Sequence, residues 1–214
     1  MSRLNVGCGQ TPTEGWKNYD NSPSVRLAKK PLTTALLSAI GVLQAEQKSF
    51  IEYAQKNAIG WADVTRHIPE PDASVTVIYS SHMLEHVDCE QAKQFLKESL
   101  RVLMPGGVIR IAVPNIRFHV ENYLQHNDAD RFIQDTLMTR HRNKSLLDKL
   151  KYLRIGDRHH VWMYDGPSLC KLLFSAGFKN PQIMEAGRTT IKDPGSLNLS
   201  ERAPESVFVE ATKA

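Results

Sequence analysis

The segment from Val75 to Val113 constrains the fold more than any other part of the chain. Val75-Thr76-Val77-Ile78-Tyr79 is a β-branched and aromatic run that reads as a strand. From Glu90 to Met104 the apolar residues Ala92, Phe95, Leu96, Leu100 and Leu103 recur at helical spacing, and Pro105-Gly106-Gly107 stops that helix. Val108 to Val113 is a second β-branched run. A strand, a helix and a strand in this order form a crossover unit, and such units build parallel sheets covered by helices on both faces.

The rest of the chain extends this pattern. Arg3 to Val6 is strand-like and runs into Gly7-Cys8-Gly9. Trp16 to Asp20 and Ile59 to Val64 are further strand candidates, and Leu32 to Leu43 and Ser49 to Asn57 have a helical period. A last helix is marked by Asp165 as N-cap, Pro167 in its first turn and Gly177 at its end. Strands at 182–185 and 207–211 close the chain, joined by a polar loop from Gly187 to Glu205. No repeat or linker divides the sequence.

Composition narrows the class. Apolar residues make up 41% and charged residues 23%, which suits a soluble globular domain. The net charge of +4, from 27 basic and 23 acidic residues, does not call for nucleic acid. Cys8, Cys89 and Cys170 are odd in number and far apart, which argues against a disulfide framework and for a reducing, cytoplasmic setting. The chain opens Met-Ser-Arg with no secretory signal. Its longest apolar stretch is too short for a bilayer span of about 20 residues, so membrane contact is not expected.

Ligands of parallel sheets bind beyond the carboxyl ends of the strands. The residues there are Gly7 and Gly9 after the first strand, Asp20 after the second and Asp63 after the third. Paired glycines let a ligand approach backbone N–H groups, and a carboxylate can accept both hydroxyls of a ribose or a bond from an adenine amino group. Each feature alone also fits a tight turn or a cap. Position 12, where a dinucleotide fingerprint has its third glycine, is Pro12, which counts against NAD or FAD.

In order and spacing, Leu4-Asn5-Val6-Gly7-Cys8-Gly9, Asp20, Ala62-Asp63-Val64, Val77-Ile78-Tyr79-Ser80-Ser81 and Leu103-Met104-Pro105-Gly106-Gly107 resemble a class I S-adenosylmethionine-dependent methyltransferase of the small bacterial methyltransferase-11-like type. The resemblance covers residues 3–113 best. It implies a Rossmann-like α/β sheet of about seven strands, mostly parallel with an antiparallel C-terminal edge. It implies S-adenosylmethionine as cofactor, with Gly7, Cys8 and Gly9 at its methionine part. Asp20 would meet the ribose, Asp63 and Val64 the adenine, and Ser80 the region of the transferred methyl group. Only 10 residues separate Gly9 from Asp20, where the family places a full helix; residues 31–57 are the candidates to supply that flank.

His82-Met83-Leu84-Glu85-His86 also matches H-x-x-E-H, in which two histidines one helical turn apart bind zinc beside a glutamate. That motif belongs inside a helix, and here it follows directly on a strand, so no metal is assigned. His82, His159 and His160 are the candidate general bases. The run His159-His160-Val161-Trp162-Met163-Tyr164-Asp165 either walls an acceptor pocket or packs its Trp on the core. It resembles a run in bacterial methyltransferases associated with surface glycans, which points to saccharide-like acceptors. Arg140, Arg142, Lys144, Lys149, Lys151, Arg154 and Arg158, against Asp148 and Asp157, give a local net of +5 that could attract a phosphorylated acceptor or form a solvated helix face.

The expected protein is a single domain over 1–214, with residues 114–160 as a helical cap over the acceptor pocket. The expected function is methyl transfer from S-adenosylmethionine to a small-molecule or glycan-like acceptor by in-line displacement. The alternatives are a non-catalytic adenosyl-ligand binder and a zinc hydrolase using residues 82–86.

Overall fold

A computed structural model describes residues 2–138 and 159–214. The basic run expected to shape a charged surface, from Arg140 to Arg158, lies outside the described residues, as does the middle of the expected cap. No helix among the described residues is long and apolar enough to cross a membrane.

The strands are β1 (Ser2–Val6), β2 (Lys17–Asp20), β3 (Gly60–Trp61), β4 (Val75–Ser81), β5 (Leu103–Pro114), β6 (Lys179–Met184) and β7 (Ser206–Thr212). They form one sheet in the order β3-β2-β1-β4-β5-β7-β6. The first five run parallel, while β7 runs antiparallel to both β5 and β6. From β1 the chain winds outward to β2 and β3, then returns to start β4 on the other side. The crevice at the carboxyl ends of β1 and β4 is therefore the topological switch point, where open parallel sheets bind ligands.

Among the described residues the helices are α1 (Pro23–Ala28), α2 (Pro31–Ala39), α3 (Ala45–Lys56), α4 (Cys89–Val102), α5 (Ile116–His126), α6 (Ala129–Asp135) and α7 (Gly166–Ala176), with a 3₁₀ turn at Leu84–His86. α4 forms where the periodicity predicts. Asp88 accepts the Glu90 and Gln91 N–H groups at its start, and Phe95, Leu96 and Val102 face the main core. It stops two residues before the expected end. Leu103 already has extended geometry, and the Pro-Gly-Gly stretch lies within β5, where the Gly106 N–H donates to the Lys213 carbonyl. α7 has the expected ends: Asp165 accepts from the Ser168 N–H at 2.8 Å, and Gly177 at φ +106° turns the chain out of the helix.

The missing helix between β1 and β2 is replaced by side-chain bonds. Buried Asn5 donates to the Thr11 carbonyl and to Thr13 Oγ1, while Asn18 pairs with the Thr13 backbone in both directions. These bonds satisfy polar groups that a helix would have satisfied internally. The exposed flank is covered from the β2–β3 connection. Val25 of α1 and Ala54 of α3 pack with Cys8 and Ile59, and the Tyr53 hydroxyl donates to the Gln10 carbonyl. Residues 31–57 supply this cover in part: α3 reaches the glycine turn, whereas α2 has no buried residue.

β4 and β5 bury both faces. One packs against α4 and α7. On the other, Val77, Tyr79, Ala112 and Phe208 are closed over by Ile191 and Leu197 from the connection between β6 and β7. That polar connection is thus a strap over the sheet where helices on both faces were expected. Its anchor is Arg110 Nη1, 2.7 Å from Glu210 Oε1, with both side chains buried. Arg110 also donates to the Arg188 and Leu199 carbonyls of the strap.

Candidate active site

A cleft of about 610 Å³ opens at the switch point, within the size range of small-molecule sites. Gly7 and Gly9 form one wall, Asp20 and Ser22 the next, Ala62, Val64 and Thr65 a third, and His82, Met83 and His86 the fourth. Each wall is the segment following β1, β2, β3 or β4, so parallel pairing in register brings four distant segments together.

The glycine turn is shaped by contact and by ligand space. Gly7 has φ +67°, and a Cβ there would lie 2.5 Å from Met83 Cγ, so only glycine lets the β4 segment close on it. Gly9 has φ +49°, and a Cβ there would meet nothing within 4 Å. Cys8 between them turns inward. Its thiol is buried, and burial together with the Asp20 charge pushes it up to about 12. Cys8 was expected at the cofactor, but its side chain belongs to the core beneath α1 and α3.

Asp20 faces the cleft. One carboxylate oxygen accepts the Gly9 N–H at 3.1 Å and the other the Ser22 N–H at 2.8 Å. Each oxygen therefore keeps acceptor capacity, while the backbone fixes the group's direction. Asp63 is placed differently. Its carboxylate accepts from the Thr65 hydroxyl at 2.6 Å and lies 3.3 Å from Arg66 Nε, and the wall beside it is made by Ala62, Val64 and Thr65. Ser80 is sealed in the sheet opposite Val6 and Ile111, and His82 and Met83 form the wall expected of it.

H-x-x-E-H does not lie on a helix. His82 follows β4 in the left-handed region at φ +49°, and Glu85 and His86 lie in the 3₁₀ turn. Helical spacing therefore does not set the geometry of the two histidines. Instead, three imidazoles surround the Glu85 carboxylate. From its Oε1, His82 Nδ1 is 3.3 Å away, His86 Nε2 3.9 Å and His160 Nε2 4.0 Å. The Val161 and Trp162 N–H groups donate to the Glu85 backbone carbonyl, which joins the 159–162 segment to the 3₁₀ turn. Burial lowers the His160 pKa, against the pull of the Glu85 charge.

Sequence reasoning assigned His82, His159 and His160 as bases. The structure brings His82 and His160 to Glu85, and His159 offers its backbone carbonyl to His86 Nδ1 at 3.0 Å. Trp162 is half exposed, so it does not pack on the core, whereas Tyr164 does. Phe50 and Thr65 in the cleft wall carried no motif: Thr65 is signalled only by following β3, and Phe50, in the middle of α3, by nothing local.

Known proteins share this fold. Residues 19–183 match the model of the family described as Methyltransferase domain. A Mycolicibacterium smegmatis protein named probable S-adenosylmethionine-dependent methyltransferase is 48% identical over 48 residues, 22% of this chain and 18% of its own length. The chain thus spans under a fifth of that relative. Among solved structures, a Thermotoga maritima SAM-dependent methyltransferase superimposes with a TM-score of 0.55 at 14% identity, covering 100% of this chain and 82% of its own. One from Methanosarcina mazei gives 0.53 at 15%, covering 99% and 92%. One from Archaeoglobus fulgidus gives 0.53 at 16%, covering 99% and 86%. These likenesses establish the fold, and with the family match over most of its length they place the chain in the class I S-adenosylmethionine-dependent methyltransferase family.

Proposed function

We propose that the protein transfers a methyl group from S-adenosylmethionine to a small-molecule or glycan-like acceptor. The observation that carries this reading is the cleft itself, with open space above Gly9 and a preoriented Asp20 carboxylate at the switch point of the sheet. These features fit the cofactor. Asp20 would accept the ribose hydroxyls, Gly7 and Gly9 would admit the methionine part, and Val64, Ala62 and Phe50 would enclose the base. Asp63 would act by holding the Thr65 turn. When bound, the cofactor supplies an activated methyl group together with its own leaving group.

The chain's main contribution is then alignment and exclusion of water, which can be worth roughly 7 kcal/mol or more. The acceptor would enter from the wall of His82, Met83 and His86. His82 lies at that wall, where Ser206 Oγ at 3.0 Å from Nε2 and Glu85 near Nδ1 fix its ring. Trp162 has a half-exposed ring and a backbone bonded to Glu85, which favours acceptors with a flat apolar face, such as a sugar ring. α5 and α6, which follow β5, would form part of a cap over the acceptor. Three free cysteines favour a reducing, cytoplasmic setting.

Two measurements test the reading. Calorimetric titration with S-adenosylhomocysteine should give one site of micromolar affinity. Methyl-labelled cofactor, incubated with pools of hydroxylated small molecules and oligosaccharides, should label a product. Binding without labelling of any pool would favour a non-catalytic adenosyl binder, and no binding would refute the proposal.

A further inference from the structure

We infer that Glu85, His86 and His160 form a binding site for one divalent first-row transition ion at the acceptor wall of the cleft. One ligand atom from each lies within 4.8 Å of the other two. The Glu85 side chain is only 1% exposed, and among the described residues neither of its oxygens accepts a hydrogen bond. A buried carboxylate left bare is strongly disfavoured, and a bound cation would satisfy it.

The spacing selects the kind of cation. A protonated imidazole would close to about 2.7–2.9 Å on the carboxylate, the length of a charge-assisted bond. Here the nearest ring nitrogen, His82 Nδ1, stands at 3.3 Å without making a hydrogen bond, and two more stand 3.9 and 4.0 Å from the same oxygen. An ion with bonds of about 2.0–2.1 Å holds tetrahedral ligands about 3.4 Å apart. The two carboxylate–imidazole distances would close by about half an ångström, and the two imidazoles, within 4.8 Å of each other, by at most about 1.4 Å. Two imidazoles and one carboxylate suit zinc, cobalt or iron(II) rather than magnesium, which takes oxygen ligands and keeps its waters.

The outer contacts match this reading. His86 Nδ1 lies 3.0 Å from the His159 carbonyl, which places its proton there and turns the Nε2 lone pair toward Glu85. The backbone fixes the ligands relative to one another, since Val161 and Trp162 donate to the Glu85 carbonyl and the His160 N–H to that of Leu137. His82 meets Glu85 Oε1 from the cleft side and is an orienting partner, not a ligand. This ligand set differs from the H-x-x-E-H zinc pattern, because Glu85 is itself a ligand and the third comes from His160, far away in sequence. Three protein ligands leave a coordination position. His86 lines the cleft, so that position would take an acceptor oxygen; this last step rests on the proposed methyl transfer, whereas the metal site does not.

The test uses the full chain stripped with a chelator and titrated with Co²⁺. One equivalent should produce visible d–d bands of a low-coordinate site, and Zn²⁺ should abolish them. His160→Ala and Glu85→Gln should each weaken binding by about 100-fold or more, beyond the roughly 10–100-fold seen when only outer partners are lost. His126→Ala, on exposed α5, should leave it unchanged. Titration with S-adenosylhomocysteine in parallel verifies that each variant is folded and separates the two claims. If the wild-type chain binds the nucleoside but gives no cobalt bands, the metal site is refuted and the methyltransferase reading stands. Bands without nucleoside binding would refute the methyltransferase reading alone. If a variant fails to fold, the wild-type spectrum and a Zn²⁺-dependent rise in melting temperature still decide. Bands unaffected by a folded His160→Ala would overturn the assignment.

Discussion

Replacing either member of the Arg110–Glu210 pair should unfold a large part of the protein's stability margin, and the two losses should differ. Both side chains are fully buried, 2.7 Å apart. Removing one partner of such a pair typically costs about 3–5 kcal/mol, against a total of roughly 5–15 kcal/mol for a domain. The pair is asymmetric. Without Arg110, the Glu210 carboxylate keeps the Thr189 hydroxyl and the Thr190 N–H and hydroxyl as donors. Without Glu210, the guanidinium keeps, among the described residues, two carbonyls and the Phe208 ring. Arg110→Met should therefore lie near 3 kcal/mol and Glu210→Met near 5, as rough values within that range. The double replacement leaves no bare charge and should recover most of the loss. Urea unfolding of the four proteins measures these values and their coupling. Single losses below about 1 kcal/mol would mean that the pair resembles a solvated surface pair, and the account of the strap would be wrong. Because Ser206 follows the strap and lies against His82 Nε2, the single variants should also reduce methyl transfer below their melting temperature.

Further outcomes follow from the cleft and from one surface network. Asp20→Ala should weaken S-adenosylhomocysteine binding by more than about 100-fold, since two hydrogen bonds to a charged acceptor contribute about 1.5–3 kcal/mol each. Calorimetry on the folded variant checks this, and a loss under threefold would contradict the ribose assignment. Gly7→Ala and Gly9→Ala should separate stability from binding. The first drives a Cβ into Met83 and should lower the melting temperature more, whereas the second points into open cleft and should act mainly on nucleoside affinity. Hydrogen bonds from Arg101 hold the Glu98 carboxyl at about 2, against the effect of burial and with help from the Ile68 N–H. A depressed folded pKa stabilises above the unfolded value of about 4.5 and is lost as pH falls toward 2. Acid titration of Glu98→Gln should accordingly show a shallower loss of stability across that window than the wild type.

The elements legible in the sequence are those whose signal is local. β4, α4 and α7 announce themselves through β-branched runs, apolar period and capping residues, because backbone sterics and one-sided burial act over a few residues. The order of strands and glycine–acid ends also places Gly9 and Asp20 at one cleft, since a parallel sheet aligns its strand ends. β3 was less visible: the expected strand of Ile59 to Val64 pairs only over Gly60–Trp61. The strap read as a polar loop because its buried charge pair joins β5 to β7, a contact without a sequence period.

By itself the sequence determined a parallel α/β sheet, its switch-point cleft and the family to which it belongs. Only the tertiary structure decided which way side chains at those strand ends point. The Cys8 side chain turns into the core, Ser80 is buried in the sheet, and Asp63 is drawn to Thr65 and Arg66. The grouping of Glu85 with His86 and His160 was equally hidden, because 73 residues separate the two histidines along the chain. Their meeting depends on main-chain bonds between the 3₁₀ turn and the 159–162 segment. Such long-range contacts are set by packing and leave no pattern in neighbouring residues.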